Sequence, residues 1–107
     1  MGGGIEAGGP TTIINSTIAG NNGFNGGGID ASGGDNPLTI TNSTITGNTA
    51  NNGGGIATGS CGATADVITN STITHNTAGQ GGGIYGCVPT LVNSVVTGNS
   101  PDDIKHF

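Results

Sequence analysis

Aromatic side chains are nearly missing from this 107-residue chain, which holds one Tyr, two Phe and no Trp. A conventional globule of this length fills its core with large apolar side chains, and too few are present here. Positive charge is scarcer still: Lys105 is the single Lys or Arg, against six acids and a net charge of -5. Nucleic-acid binding needs clustered Lys and Arg, and so does adsorption to an anionic membrane, so neither partner is expected. No apolar run approaches the roughly 20 residues that span a bilayer, and direct membrane insertion by this segment is not expected either. No 3.6-residue apolar period runs through the chain, which excludes amphipathic helices. Met1 opens straight onto Gly2-Gly3-Gly4 without the charged and apolar regions of a signal peptide; for an exported protein this reads as a missing start.

Glycine, Asn, Thr and Ser fill much of what remains, with 24 Gly alone. Such a composition suggests disorder, but evenly spaced isoleucines argue against it. Gly-Gly-Gly-Ile occurs at 2–5, 26–29, 53–56 and 81–84. Asn-Ser-Thr-Ile occurs at 15–18, 42–45 and 70–73, and returns as Asn93-Ser94-Val95-Val96. A second Asn follows six residues after the first, at Asn21, Asn48, Asn76 and Asn99. From the first Asn to the next Gly triplet the distance is always 11 residues, whereas from the triplet's Ile to the next Asn it varies from 9 to 14. One half of each repeat is therefore packed, and the other is a surface loop that tolerates length changes.

The packed half alternates apolar and polar residues, as in Leu38-Thr39-Ile40-Thr41 and Thr44-Ile45-Thr46, the pattern of a strand with one buried face. Aligned on the first Asn, three apolar columns emerge: Ile13, Ile40, Ile68 and Leu91; Ile18, Ile45, Ile73 and Val96; Ile5, Ile29, Ile56 and Ile84. Three short strands per repeat, each donating inward side chains, make one triangular coil. Coils stacked about 4.8 Å apart place like residues over like, so a slender core can be sealed by few side chains. The sequence thus predicts an all-β parallel β-helix (solenoid) of about four coils, spanning residues 1–100, with a polar C-terminal tail over 101–107. Both Asn columns, Asn15, Asn42, Asn70 and Asn93 and then Asn21, Asn48, Asn76 and Asn99, fall at corners. Asn tolerates the left-handed backbone of a sharp bend, and its stacked amides can hydrogen-bond along a column. The Gly triplets supply unusual backbone angles and let chain approach chain. The Asn-x-Ser/Thr sequons at Asn15, Asn42 and Asn70 are read as these corner residues, with glycosylation incidental.

These motifs resemble the polymorphic outer membrane protein repeats of chlamydiae, in which a tetrapeptide like Gly-Gly-Ala-Ile pairs with Phe-x-x-Asn. Here Gly-Gly-Gly-Ile matches the first, and Ile18-Ala-Gly-Asn21, Ile45-Thr-Gly-Asn48, Ile73-Thr-His-Asn76 and Val96-Thr-Gly-Asn99 match the second. Ile or Val stands where that family has Phe, which is closer to the broader set of right-handed parallel β-helix repeats of the pectate-lyase-like superfamily. The resemblance covers residues 2 to about 100. It implies a right-handed coil, in keeping with the general rule for parallel crossovers, and a passenger segment on a bacterial surface or outside the cell. Relatives serve as adhesins or stalks, and some degrade polysaccharides. The expected function is a non-catalytic structural or adhesive module facing carbohydrate or a host-cell ligand; the alternative is a fragment of a polysaccharide-active β-helix enzyme.

Candidate chemistry is sparse. The acids are Glu6, Asp30, Asp35, Asp66, Asp102 and Asp103. Glu6 and Asp30 each follow a Gly-Gly-Gly-Ile unit and should stack on adjacent coils, where two carboxylates suit Ca2+ or an acid–base pair. Ala57 and Tyr85 end that column after two. No other cofactor is expected. His75 takes the place of a Gly and reads as a solvated surface residue; no nucleophile–base pair is legible. Cys61 and Cys87 lie in corresponding loops of adjacent repeats, which allows a disulfide and equally allows two buried thiols. The outward residues Thr44, Thr46, Thr72 and Thr74, extended by Thr17 and Thr97 and interrupted by Ala19 and Val95, resemble the Thr-x-Thr array of insect antifreeze proteins. The variable loops, 6–12, 30–37, 57–66 and 85–90, should lie together on one edge. With no capping element legible at either end, unpaired edge strands invite association, and the expectation is a fragment of a longer solenoid or end-to-end self-association; a clean monomer across concentrations in size-exclusion chromatography would count against it.

Overall fold

The computed structural model describes residues 2–33, 37–59 and 66–106. Asp35 and Cys61 fall outside them. The described residues run through fifteen short strands and no helix. The first coil carries β1 (Ile5–Glu6), β2 (Thr11–Ile14) and β3 (Thr17–Ala19). The second carries β4 (Ile29–Ala31), β5 (Leu38–Thr41), β6 (Thr44–Thr46) and β7 (Thr49–Asn52). The third carries β8 (Ile56–Thr58), β9 (Val67–Thr69), β10 (Thr72–Thr74) and β11 (Thr77–Gln80). The fourth carries β12 (Ile84–Gly86), β13 (Thr90–Val92) and β14 (Val95–Thr97), and β15 (Ile104–His106) returns to the first face.

Every strand pair is parallel, and like strands of successive coils stack into sheets: β1-β4-β8-β12-β15, β2-β5-β9-β13, β3-β6-β10-β14 and β7-β11. This is a right-handed parallel β-helix. Its register pairs Ile5 with Ile29, Ile56 and Ile84 in turn, Ile13 with Ile40, Ile68 and Leu91, and Ile18 with Ile45, Ile73 and Val96. Ile29, Ile40, Ile45, Ile56, Ile68, Ile73 and Ile84 are all fully buried. Each such side chain is worth roughly 1.5–3 kcal/mol of burial, gained, among the described residues, without an aromatic in the core.

Two expectations are corrected. The coil has a fourth side, formed by β7 and β11 and by the pairings of Asn22 with Thr49, Asn25 with Asn52 and Thr77 with Ser100. Its inward column is Gly23, Ala50 and Ala78, residues too small to register as an apolar stripe. And residues 101–107 are not a tail outside the repeat: β15 pairs with β12, placing Ile104 over Ile84 and packing it on the core. The last coil reaches this position three residues early and without a Gly triplet, so the repeat pattern hides it.

The corners divide their labour. Asn15, Asn42, Asn70 and Asn93 have φ of 51, 51, 49 and 48° and are exposed. They make the bend, and the amide ladder expected of them does not form. The adjacent serines hold this corner instead: Ser43, Ser71 and Ser94 Oγ accept from the backbone N–H of Ser16, Ser43 and Ser71 at 3.1–3.2 Å. The second Asn column is the amide ladder. Asn48, Asn76 and Asn99 Oδ1 accept from both the backbone N–H and the Nδ2 of Asn21, Asn48 and Asn76. Asp103 ends the column, its Oδ1 accepting from Asn99 N at 3.0 Å and Nδ2 at 3.1 Å. The left-handed residue here is the one before the Asn: Gly20, Gly47, His75 and Gly98, with φ of 58–68°.

The Gly triplets act as their pattern predicts. Gly26, Gly53 and Gly81 have φ of 59–65°. A Cβ on Gly54 would lie 2.5 Å from Gly82 O and 2.6 Å from Thr77 O, so only hydrogen fits between the coils there.

Candidate functional site

Three surface features carry side chains able to engage a partner. The first is a shallow groove of about 410 Å3 on the fourth side, lined by Phe24, Ala50, Asn51, Asn52, Gly79 and Gln80. Phe24 is 61% exposed. The register that pairs Asn25 with Asn52 and Asn52 with Gln80 places Asn51 and then Gly79 over Phe24. Among the described residues lining the groove none is of comparable size to the ring, and the column ends in a bare backbone at Gly79. Amides line one wall: Asn52 Nδ2 donates to Asn25 Oδ1 at 3.0 Å, and Gln80 Nε2 approaches Asn52 Oδ1 at 3.5 Å. The groove therefore joins an apolar ring to uncharged donors and acceptors. Sequence reasoning missed it because Phe24 interrupts no column and its neighbours belong to the unrecognised fourth side.

The second feature is the outer surface of two adjacent sheets. On β3, β6, β10 and β14 the outward columns are Thr17, Thr44, Thr72 and Val95, then Ala19, Thr46, Thr74 and Thr97. On β2, β5, β9 and β13 they are Thr12, Thr39, Val67 and Thr90, then Ile14, Thr41, Thr69 and Val92. None of these residues is buried. The Thr array legible in the sequence thus has a second half on the neighbouring sheet.

The third is the acidic column. The register sets Glu6 beside Asp30, followed by Ala57, Tyr85 and Lys105. Asp30 is 8% exposed, and its Oδ1 accepts from the backbone N–H and hydroxyl of Ser32. Burial works to raise the Asp30 carboxyl, and hydrogen bonds from the Ser32 hydroxyl and backbone N–H work against it; the group lies below its ordinary range. Among the described residues no three His, Cys, Asp or Glu come together as metal ligands.

Asp66 proves structural. It is 2% exposed, and its Oδ1 accepts from Leu38 N at 2.8 Å, tying the long loop after β8 to the coil below. Of the cysteine pair, Cys61 lies outside the described residues, while Cys87 is buried and disulfide-bonded. His75 is exposed and its Nδ1 is 3.0 Å from Thr74 Oγ1. The described ends of the variable loops leave the first face and rejoin the coil at β2, β5, β9 and β13; residues 34–36 and 60–65 of these loops lie outside the described residues. On the last coil, Val88, Leu91, Val92 and Val95 are 36–50% exposed.

Comparison with known proteins found no matching family model, no matching curated protein and no matching solved structure.

Proposed function

We propose that the chain is a non-catalytic adhesive module of a secreted or cell-surface bacterial protein, and that its groove around Phe24 holds an uncharged glycan. The observation that carries this reading is the exposed Phe24 ring beside the amides of Asn51, Asn52 and Gln80. A sugar ring offers an apolar C–H face and a rim of hydroxyls. Phe24 suits the face, and the amides suit the rim because each both donates and accepts. Among the described residues no charged side chain lines the groove, which favours a neutral sugar over a uronic acid. The Gly-Gly-Gly-Ile and Ile-x-x-Asn pairs, similar to those of polymorphic outer membrane protein and pectate-lyase-like repeats, support an exported solenoid as the setting.

Glu6 beside Asp30 favours the second reading, a fragment of a carbohydrate-active enzyme. One experiment separates the two. The chain and its Phe24→Ala variant are passed over immobilised neutral and acidic polysaccharides, and the eluates are assayed for new reducing ends and unsaturated sugars. The expected result is retention on a neutral polysaccharide, at least several-fold weaker in the variant, with no turnover. Retention indifferent to Phe24→Ala would sink the groove assignment, and turnover lost in Glu6→Gln would establish the enzyme instead.

A further inference from the structure

We propose that the exposed corner residues Asn15, Asn42 and Asn70 are acceptors for asparagine-linked sugars. Only the exported setting is shared with the preceding reading; neither the groove nor its glycan enters.

Each of the three opens an Asn-Ser-Thr tripeptide, the acceptor pattern for N-glycosylation on exported proteins. The pattern alone is weak, since Thr is a common strand former and Asn a frequent occupant of left-handed bends. Reading these Asn as ladder residues would leave a sugar incidental, but no ladder forms at this corner. The side chains of Asn15, Asn42 and Asn70 are exposed and make no hydrogen bond among the described residues. Their backbone N–H groups are satisfied without them, donating to Thr41 O, Thr69 O and Val92 O at 2.9–3.0 Å.

The bend does not require Asn either. At the neighbouring corner the left-handed residue is Gly20, Gly47 or Gly98, and in the triplets it is Gly26, Gly53 or Gly81. Glycine enters this region at no steric cost. Asn at the first corner therefore presents an amide that has no task in holding the coil. The hydroxyl two residues on is in the same position. Thr17, Thr44 and Thr72 stand on the outer side of β3, β6 and β10, and their hydroxyls make no hydrogen bond among the described residues. The middle residue does the structural work instead: Ser43 and Ser71 are buried and accept from the coil before through Oγ. The amide that takes the sugar and the hydroxyl that marks the site are thus both uncommitted. At Asn93 the bend persists but Ser94-Val95 follows, so the pattern is lost there.

Transfer forms a C–N bond between the Asn side-chain nitrogen and C1 of a sugar carried on a lipid or nucleotide diphosphate. The C1–O bond to the diphosphate breaks, the diphosphate leaves with the electron pair, and the amide nitrogen gives up one proton. The catalyst is a glycosyltransferase outside this chain. Because Ser43 and Ser71 are buried and donate their N–H to the serine of the next coil, the tripeptide is read before the coils stack. The folded corner then leaves the sugar in solvent.

The test uses the chain isolated from the cells that make it. Its intact mass and its peptides are measured before and after an amidase that cleaves the sugar–Asn bond and leaves Asp. Three variants are made in the same cells. Asn42→Gly keeps the left-handed bend, Thr44→Val keeps a β-branched outward side chain without the hydroxyl, and Thr44→Ser keeps the hydroxyl. Far-UV circular dichroism confirms that each is folded. The expected result is a sugar on Asn15, Asn42 and Asn70, with each site appearing as Asp after the amidase, and none on Asn93, Asn48 or Asn76. Asn42→Gly and Thr44→Val should lose the sugar at position 42 alone, and Thr44→Ser should retain it. Unmodified Asn at all three positions would overturn the proposal. So would a sugar that persists on Asn42 in Thr44→Val, or one attached to threonine instead. None of these results bears on retention through Phe24.

Discussion

Replacing Asn48 with alanine removes a side chain that is fully buried and makes four hydrogen bonds. Its Oδ1 accepts from Asn21 N at 2.9 Å and Asn21 Nδ2 at 3.2 Å; its Nδ2 donates to Ile18 O at 3.1 Å and Asn76 Oδ1 at 3.0 Å. Alanine leaves the Asn21 amide without its acceptor and the groups above and below short of partners. A buried polar group left unsatisfied costs about 1–3 kcal/mol, so two of them, one only half-buried, give about 3 kcal/mol. Asn42 is the contrasting site. It belongs to the same repeat and has the same residue type, but it is exposed at φ 51°. Alanine there pays only for the left-handed backbone, about 1 kcal/mol, and glycine pays nothing of that kind. Urea unfolding followed by far-UV circular dichroism reads the difference. With a slope of about 1.5 kcal/mol/M, Asn48→Ala should lower the midpoint by about 2 M, Asn42→Ala by well under 1 M, and Asn42→Gly hardly at all. Equal losses for Asn48→Ala and Asn42→Ala at unchanged slope would refute the division of the two Asn columns into ladder and bend.

Further outcomes follow from single residues. Gly54→Ala should abolish cooperative unfolding, because the new methyl meets carbonyl oxygens of the next coil at 2.5–2.6 Å, whereas His75→Gly, at φ 58°, should raise the thermal midpoint by an amount equivalent to about 1 kcal/mol. Asp30 sets an acid dependence. Its folded pKa lies below the ordinary 3.8, so its stabilisation is complete above the ordinary range and is lost as pH falls through the lowered value. The gap between the thermal midpoints of the parent and Asp30→Asn should therefore stay constant above about pH 5 and close only as the pH falls below the ordinary carboxylate range; a gap unchanged by acidification would contradict the assignment.

How far the sequence reached can be followed residue by residue. The three isoleucine columns and their register were legible because a parallel coil repeats its inward residues at fixed intervals, and burial enforces the interval. The fourth side was not, since Gly23, Ala50 and Ala78 carry too little apolar surface to mark a strand. Ile104 was hidden by a shortened final coil. The serine column was overlooked because hydroxyls accepting from the next coil leave no apolar trace. Phe24 was a lone aromatic until pairing showed what lies above it.

What the chain's composition and spacing established unaided is the coil: its parallel stacking, its inward ladders and the glycines between turns. Those are local and periodic demands, and a periodic string displays them directly. Which Asn bends and which one bonds, where the last strand lands, and that a second Thr-bearing sheet stands beside the first depended on the three-dimensional arrangement. Such properties arise between residues some 23 to 31 positions apart in the chain, and spatial neighbours at that separation share no mark in sequence.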